Sequence, residues 1–89
     1  MNGAATQVAS RQFDEDFSKL PAQIRELVQS KLDSMGRRLS RFPHFRMQGS
    51  DKYRFRIGDY RVIYRFDLSK GEIYLVAIGH RREIYRDRA

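Results

Sequence analysis

Arginines recur in the second half of the chain at the spacing of one face of a β-strand. Arg54 and Arg56 alternate with apolar residues from Tyr53 to Ile57, the period of two that is typical of a half-buried strand. A guanidinium is a planar cation that donates paired hydrogen bonds to a phosphate and stacks on nucleobases. Such groups on one face of a sheet could therefore bind a phosphodiester and stabilise the negative charge that develops when it is cleaved.

A tight turn is predicted directly after this first strand. Gly58 and Asp59 fit a two-residue type II′ loop, whose first central residue needs the positive φ that glycine adopts easily. That turn would place Arg56 opposite Arg61, and like charges directly across a ladder destabilise a sheet by up to ~1 kcal/mol. We therefore expect an anion to bind between the two guanidinium groups. The other predicted pairs are Ile57–Tyr60, Phe55–Val62 and Tyr53–Tyr64.

From residue 53 the pattern predicts three strands joined by turns at residues 58–59 and 67–71, the third strand being residues 73–78. A second group of candidate residues follows this third strand. This group consists of His80, Arg81 and Arg82, with Tyr85 three residues later. If the third strand pairs beside the second, Arg81 and Tyr85 come close to Arg61. The result would be a concave cationic patch with an aromatic ring for base stacking, which suits single-stranded RNA. The predicted RNA-binding surface also includes Lys52, Arg65 and Arg82.

The composition favours an anionic partner and excludes several classes of protein. The 89 residues contain 18 basic and 11 acidic side chains, for a net charge of +7, with 14 arginines against 4 lysines. A basic, arginine-rich domain most often binds nucleic acid or an acidic protein, and a merely soluble basic surface is the alternative. The absence of cysteine excludes disulfides and fits the cytoplasm. No apolar stretch is long enough for a membrane span.

Familiar enzyme motifs are missing. The sequence has no glycine-rich phosphate loop, no serine–histidine–acid set and no zinc-ligand spacing, so we expect neither a cofactor nor a metal. An enzyme built on these arginines would use cations to stabilise phosphate charge and a side chain with a shifted pKa for proton transfer. The alternative is an ordinary solvated sheet face, which the opposition of Arg56 and Arg61 argues against.

Two helices are predicted ahead of these strands. Apolar residues at helical spacing predict a first helix over residues 11–19. Leu20-Pro21 ends it, and Pro21 fits the first position of a second helix, which runs to about residue 39 with Gly36 in its last turn. The apolar stripe of the second helix is predicted to lie in the core: Ile24, Leu27, Val28, Leu32, Met35 and Leu39.

The remaining segments complete a small sheet. Residues 7–10 fit a short edge strand, and residues 73–78 are almost continuously apolar, as in a central strand covered at least in part on both faces. The predicted fold is α+β: one domain over residues 1–89, with a two-helix hairpin on one face of an antiparallel sheet of about four strands. We expect residues 1–5 to be disordered or not native to the protein. The predicted plug at the core edge consists of Phe42, Pro43 and Phe45.

The order of these residues resembles the RelE/ParE superfamily of bacterial toxins from toxin–antitoxin pairs, and within it the RelE-like branch. Three segments carry the resemblance, which extends over residues 7–88: Leu20-Pro21, YRFRIGDYRVIY at 53–64, and GHRREIY at 79–85. The resemblance implies a β-α-α-β-β-β microRNase-like fold. It also implies a toxin that enters the ribosomal A site and cuts mRNA there.

The resemblance implies a role for each candidate residue. Arg54 and Arg56 would orient the mRNA and assist removal of the proton from the ribose 2′-hydroxyl, and Arg61 would stabilise the phosphorane-like transition state. Arg81 would aid departure of the 5′-oxygen, and Tyr85 would stack on or orient a base. The product would be a 2′,3′-cyclic phosphate formed without a metal, and the need for a 2′-hydroxyl would restrict cleavage to RNA.

This chain departs from the superfamily pattern at two positions, because lysines are usual where it has Arg54 and Arg56. Lysine can lose its proton when buried, whereas arginine effectively cannot. His80 therefore becomes the candidate general base, since imidazole most often serves that role, and Glu83 is the nearest acid in sequence.

Two other functions fit the same sequence. A ParE-like toxin would bind and poison DNA gyrase with no catalysis of its own, and a basic module without activity would bind only the antitoxin. The expected partners of a nuclease are the ribosome and mRNA. In each case a small, acidic, partly disordered antitoxin is expected to neutralise the toxin.

Overall fold

The computed structural model describes residues 4–80 and shows two helices and five strands. The predicted α+β architecture is confirmed. The sheet order is β1-β5-β4-β3-β2, and the sheet is mixed rather than antiparallel, because β1 pairs parallel to β5. A two-residue strand, β2, adds one strand to the expected number. The elements are β1 Thr6–Ala9, α1 Arg11–Ser18, α2 Ala22–Arg37, β2 Phe45–Arg46, β3 Tyr53–Ile57, β4 Tyr60–Asp67 and β5 Glu72–His80.

The β3–β4 hairpin has the predicted register at every predicted pair. Arg56 lies directly opposite Arg61, and the apolar residues pair on the other face. Gly58 has a φ of +57°, and no residue other than glycine has a positive φ in the described part of the chain. A positive φ at the first central residue alone is the pattern of a type II′ turn.

β5 contains one extra residue relative to β4. Ala77 and Leu75 pair with successive residues of β4, which leaves Val76 as a bulge. Because side chains alternate between faces, the bulge reverses the alternation along β5. Leu75 and Ile78, three residues apart, consequently both lie in the core against the helices. The nearly continuous apolar run of this strand thus reflects the bulge as well as partial coverage of both faces.

The break between the two helices falls at residues 20–21, as predicted. The hydroxyl of Ser10 caps α1 by accepting a hydrogen bond from the backbone amide of Phe13, at 3.0 Å. Pro21 occupies the N-cap of α2 instead of its first helical position. Neither described helix is long and apolar enough to cross a membrane.

α2 carries the predicted apolar stripe into the core, with one exception. Leu27 is 54% exposed, so its prediction as a core residue was wrong; it lies on the side of the stripe away from the buried cluster. α2 ends at Arg37, shortly before the predicted end near residue 39, with Gly36 in its last turn, and the carbonyl of Gly36 accepts a hydrogen bond from the amide of Ala5. The buried residues of the stripe are Val28, Leu32, Met35 and Leu39, and Ile24 packs against them.

The connector after α2 enters the core only in part. Phe42 is buried, as predicted, but Pro43 is exposed and Phe45 is 64% exposed, so the prediction that both plug the core was wrong. Phe45 pairs with Arg54 across β2 and β3, and this pairing turns its side chain to the face away from the helices. His44 occupies the core edge instead.

His44 lies inside a cluster of aromatic rings and makes two hydrogen bonds. Its ring stacks on Phe66, with 4.0 Å between ring centroids. Nε2 lies 2.8 Å from the carbonyl oxygen of Leu39, which can only accept, so Nε2 carries the proton and Nδ1 accepts from the Tyr64 hydroxyl at 2.6 Å. Burial raises the pKa of Tyr64 well above its usual value, so the hydroxyl keeps the proton that it donates.

Replacing His44 by Phe should lower the free energy of unfolding by about 1–3 kcal/mol, measured by urea denaturation. The substitution keeps a ring against Phe66 but leaves the buried Tyr64 hydroxyl and the Leu39 carbonyl without these partners.

The matched control is the same substitution in a Tyr64→Phe background. Because that background has no buried hydroxyl, His44→Phe should cost less there than in the native chain. An equal cost in both backgrounds would show that the His44–Tyr64 hydrogen bond does not stabilise the core.

Candidate nucleic-acid interface

The faces of β3, β4 and β5 differ in what covers them. One face packs on α1 and α2 through the buried core. The opposite face carries four arginines at alternating positions, three of them exposed and Arg61 half-buried. Phe45 joins this face from β2, opposite Arg54. We call this surface the arginine face, after the strand arginines that define it: Arg54, Arg56, Arg61 and Arg65.

A pocket of about 340 Å³ opens at the end of the arginine face where β3 becomes an edge strand. β2 pairs only with Tyr53 and Arg54, so no other strand of residues 4–80 covers the remaining side of β3 beside the pocket. We call it the arginine pocket. Its lining combines four cationic side chains with two aromatic rings: Lys31, Arg54, Arg56, Arg61, Phe45 and Phe55.

Two cations of the arginine pocket, Arg54 and Arg56, have no carboxylate partner among residues 4–80. Within residues 4–80 no hydrogen bond or ion pair involves the side chain of Arg54 or Arg56. Lys31 places Nζ 5.1 Å from the ring centroid of Phe55, and Nη1 of Arg61 is shielded from solvent. Such a concentration of positive charge, partly withdrawn from water, attracts an anion more strongly than a flat surface would.

The other predicted RNA-binding residues of the described chain lie beside a carboxylate. Asp51 is 3.5 Å from Nη1 of Arg65 and 3.8 Å from Nζ of Lys52. The guanidinium of Arg65 also lies over the ring of Tyr74, 6.0 Å from its centroid. The charges of Arg65 and Lys52 are therefore partly neutralised, unlike those of Arg54 and Arg56.

A small apolar cluster separates Arg65 from the arginine pocket. Ile63 and Ala77 are buried on this face, with Met47 and Val76 packed against them. Ile63 lies between Arg61 and Arg65 along β4. The apolar cluster therefore divides the arginine face into two charged ends, and the arginine pocket lies at one of them.

His80 is not brought to the arginine pocket. Gly79 lies opposite Arg61, and His80 lies opposite Tyr60, on the core side of the sheet. The rings of His80 and Tyr60 meet edge to face, with centroids 6.0 Å apart. The bulge at Val76 places His80 on the core side, because it reverses the alternation of side chains along β5 before His80. Arg81, Arg82, Glu83 and Tyr85 lie outside the described residues.

Besides the core residue Phe55, two residues that line the pocket were not predicted from the sequence: Lys31 and Phe45. Lys31 belongs to the polar side of α2, where a charged residue carries no signal of its own. Phe45 was assigned to the core because it follows Phe42 in an apolar segment. The period-two pattern that located the arginines could not locate Phe45, because β2 has only two residues.

Comparison with solved structures shows that the fold is that of RelE toxins. The toxin RelE of E. coli, in a mutant free-state form, has a TM-score of 0.77 at 18% identity, covering 94% of this chain and 93% of that one. The RelBE2 toxin–antitoxin complex of Mycobacterium tuberculosis gives 0.71 at 23% identity, with 88% and 92% covered. The intact E. coli RelBE complex gives 0.70 at 19% identity, with 86% and 96% covered.

Comparison at the level of sequence gives the family. A search of curated proteins found no match. The family model described as the ParE toxin of type II toxin–antitoxin systems, parDE, matches residues 8–85, which is most of the chain. The chain therefore belongs to the ParE toxin family of type II toxin–antitoxin systems, within the RelE/ParE superfamily, and its fold is that of RelE toxins.

Proposed function

We propose that this toxin is an endoribonuclease that cuts mRNA in the A site of the ribosome. The observation that supports it best is the pairing of Arg56 with Arg61 across the hairpin, at the mouth of a pocket that also contains Arg54 and Phe45. A sheet that keeps two guanidinium groups in opposition has a preformed site for a phosphodiester. A solvated surface would gain nothing from that arrangement.

The proposed reaction is attack of a ribose 2′-oxygen on the adjacent phosphorus. A bond forms between the 2′-oxygen and phosphorus, the bond from phosphorus to the 5′-oxygen breaks, and the products are a 2′,3′-cyclic phosphate and a 5′-hydroxyl. Arg54 and Arg56 would hold the phosphate, and Arg61 would stabilise the charge of the pentavalent transition state. Arg81 would assist the leaving oxygen and Tyr85 would orient a base.

The proton of the 2′-hydroxyl needs an acceptor. Arginine does not lose its proton in proteins. His80 lies on the face of the sheet that packs on the helices, whereas Arg61 lies on the other face. We therefore propose that solvent accepts the proton, and that the arginines accelerate the reaction by electrostatic stabilisation and positioning. Protonation of the leaving 5′-oxygen, also from solvent, completes the balance.

We further propose that a cognate antitoxin neutralises this toxin. The matching structures of Mycobacterium tuberculosis and E. coli include toxin–antitoxin complexes. A chain with a net charge of +7 favours an acidic partner, and a partly disordered segment could wrap over a large surface. Covering the arginine pocket would block RNA, and the ribosome and mRNA would be the cytoplasmic targets of the free toxin.

DNA gyrase is the second candidate target. The family model that matches the chain is described as the ParE toxin, and this favours a poison without catalytic activity of its own. The ribosome and gyrase bound to DNA are both polyanionic assemblies that a basic surface could approach. Cleavage of mRNA distinguishes them, because only the nuclease produces new 3′ ends in the message.

Replacing Arg61 by Ala should reduce mRNA cleavage about 10²–10³-fold, because a cation that stabilises the transition-state charge is lost. The assay is a reconstituted translation reaction with a defined mRNA, in which primer extension maps new ends in the A-site codon. Arg11→Ala is the matched control: Arg11 is an exposed arginine on α1, paired with Glu15 at 3.3 Å, and its loss should leave cleavage unchanged.

The reaction with the wild-type toxin tests whether the target is the ribosome or DNA gyrase. New ends that appear only when ribosomes are present would support the proposal. An uncut message together with gyrase-dependent DNA breaks would replace it with the ParE-like function, and equal cleavage by Arg61→Ala and the wild type would remove Arg61 from the mechanism.

Replacing His80 by Ala should lower the cleavage rate by less than about tenfold, whereas loss of a general base typically costs 10²–10⁴-fold. The reason is its position beside Tyr60, on the face away from the arginine pocket. Single-turnover rates between pH 6.5 and 8.5 should rise in parallel for the two proteins. A loss of a hundredfold or more, with a changed pH profile, would instead make His80 the base.

A further inference from the structure

Phe45 is the most exposed of the large apolar side chains in the described chain. It is 64% exposed, compared with 56% for Leu68, 54% for Leu27 and 43% for Val8. The neighbouring aromatic residue Phe42 is buried. An exposed phenylalanine ring leaves a large apolar area in contact with water, so its burial by a ligand would be favourable.

The backbone that carries Phe45 is held firmly. β2 pairs with β3, so Phe45 lies directly opposite Arg54. The side chain of Arg46 donates to the carbonyl of Ser50 at 2.7 Å, and the amide of Met47 donates to the carbonyl of Lys52 at 2.8 Å. The hairpin from β2 to β3 therefore presents the ring in a defined position.

The ring of Phe45 is not used by the core. Within residues 4–80 it makes no ring–ring or cation–π contact, although His44 beside it contacts four other aromatic rings. Phe45 faces the arginine pocket instead, together with Arg54, Arg56 and Arg61. The fold thus places an exposed aromatic ring beside the guanidinium groups of Arg54 and Arg56, which make no ion pair within residues 4–80.

This combination matches the chemistry of a nucleotide in single-stranded RNA. The phosphate is an anion that guanidinium groups bind, and the base has a flat π-surface that stacks on an aromatic ring. Side chains directly opposite on neighbouring strands are about 4.5–5.5 Å apart at Cβ, so Phe45 and Arg54 can engage adjoining parts of one ligand. A pocket of about 340 Å³ lies at the small end of ligand sites.

We propose that Phe45 is a base-stacking residue of the RNA-binding site. A single-stranded RNA places one nucleobase on the Phe45 ring while the adjoining phosphate lies on Arg54 and Arg56. This inference rests on the proposed function only in taking RNA as the ligand, and it concerns binding rather than cleavage. The alternative occupant of the same ring is an apolar side chain of the antitoxin.

The test measures the affinity of the purified toxin for a fluorescent single-stranded RNA at several salt concentrations. Phe45→Ala and Phe45→Leu should each weaken binding roughly 5- to 100-fold, and Phe45→Tyr should retain it, because stacking needs an aromatic ring. Leu68→Ala, which removes a comparably exposed apolar side chain in the β4–β5 loop, should bind as the wild type does.

The salt dependence separates stacking from charge. Phe45→Ala should keep the slope of log affinity against log salt, because no phosphate contact is lost, whereas Arg56→Ala should reduce it. Equal affinity of Phe45→Leu and the wild type would overturn the proposal. The proposal would also be overturned if Phe45→Ala bound RNA as the wild type does but bound an acidic antitoxin more weakly. That result would assign the ring to the protein partner.

A direct readout is available because the chain contains no tryptophan. In Phe45→Trp the indole would be the only one in the protein, and RNA should quench its fluorescence in proportion to the bound fraction. Fluorescence that is indifferent to saturating RNA would contradict stacking. If RNA quenches the fluorescence but the toxin does not cut mRNA, the stacking inference stands and the nuclease proposal is wrong. If the toxin cuts mRNA and Phe45→Ala changes neither cleavage nor RNA binding, the nuclease proposal stands and the stacking inference is wrong.

Discussion

The two-residue turn at Gly58-Asp59 determines which surface each side chain of β3 and β4 occupies. A slip of one residue would bury Arg56 and expose Phe55, because side chains alternate between faces. The observed register places Arg56 against Arg61 at a cost of up to ~1 kcal/mol. Burial of Phe55 and Val62 on the other face outweighs this, since one such side chain contributes about 1.5–3 kcal/mol. The core therefore holds the like charges together before any ligand binds.

β4 connects the core to the arginine face. On one side of it, Tyr64 is fully buried and bonded to His44, which closes the edge of the core after α2. On the other side, Arg61 lines the pocket. A site on a central strand is held more rigidly than a site on a loop, and rigid placement is what electrostatic stabilisation of a transition state requires. The polar bond inside the core thus supports the geometry of the charged surface outside it.

Local patterns were sufficient to predict the hairpin, the helix break and most of the helix stripe, because each depends on residues close in sequence. The side-chain direction of Phe45 and His44 could not be predicted in this way, since it depends on a two-residue strand pairing with β3. The side of the sheet on which His80 lies could not be predicted for a different reason. Uninterrupted alternation from Ile73 would place His80 on the arginine face, and the bulge at Val76 moves it to the other. A run of apolar residues does not reveal a bulge.

Because β2 is short, the arginine pocket is open to solvent, and the exposed edge of β3 beside it needs charged side chains that prevent pairing with other chains. β2 covers only the first two residues of β3, so the edge from Phe55 to Ile57 has no partner on that side among the strands that the structure describes. Exposed edges invite pairing with other chains, and charged side chains are a common protection against it. Arg54 and Arg56 therefore have two effects in the free toxin: they disfavour edge-to-edge association, and they concentrate positive charge at this end of the sheet. A partner that covers this edge removes exposed backbone, unbalanced charge and the exposed ring of Phe45 in one step. Because these three unfavourable features lie together, a partner gains most by binding at this end of the sheet.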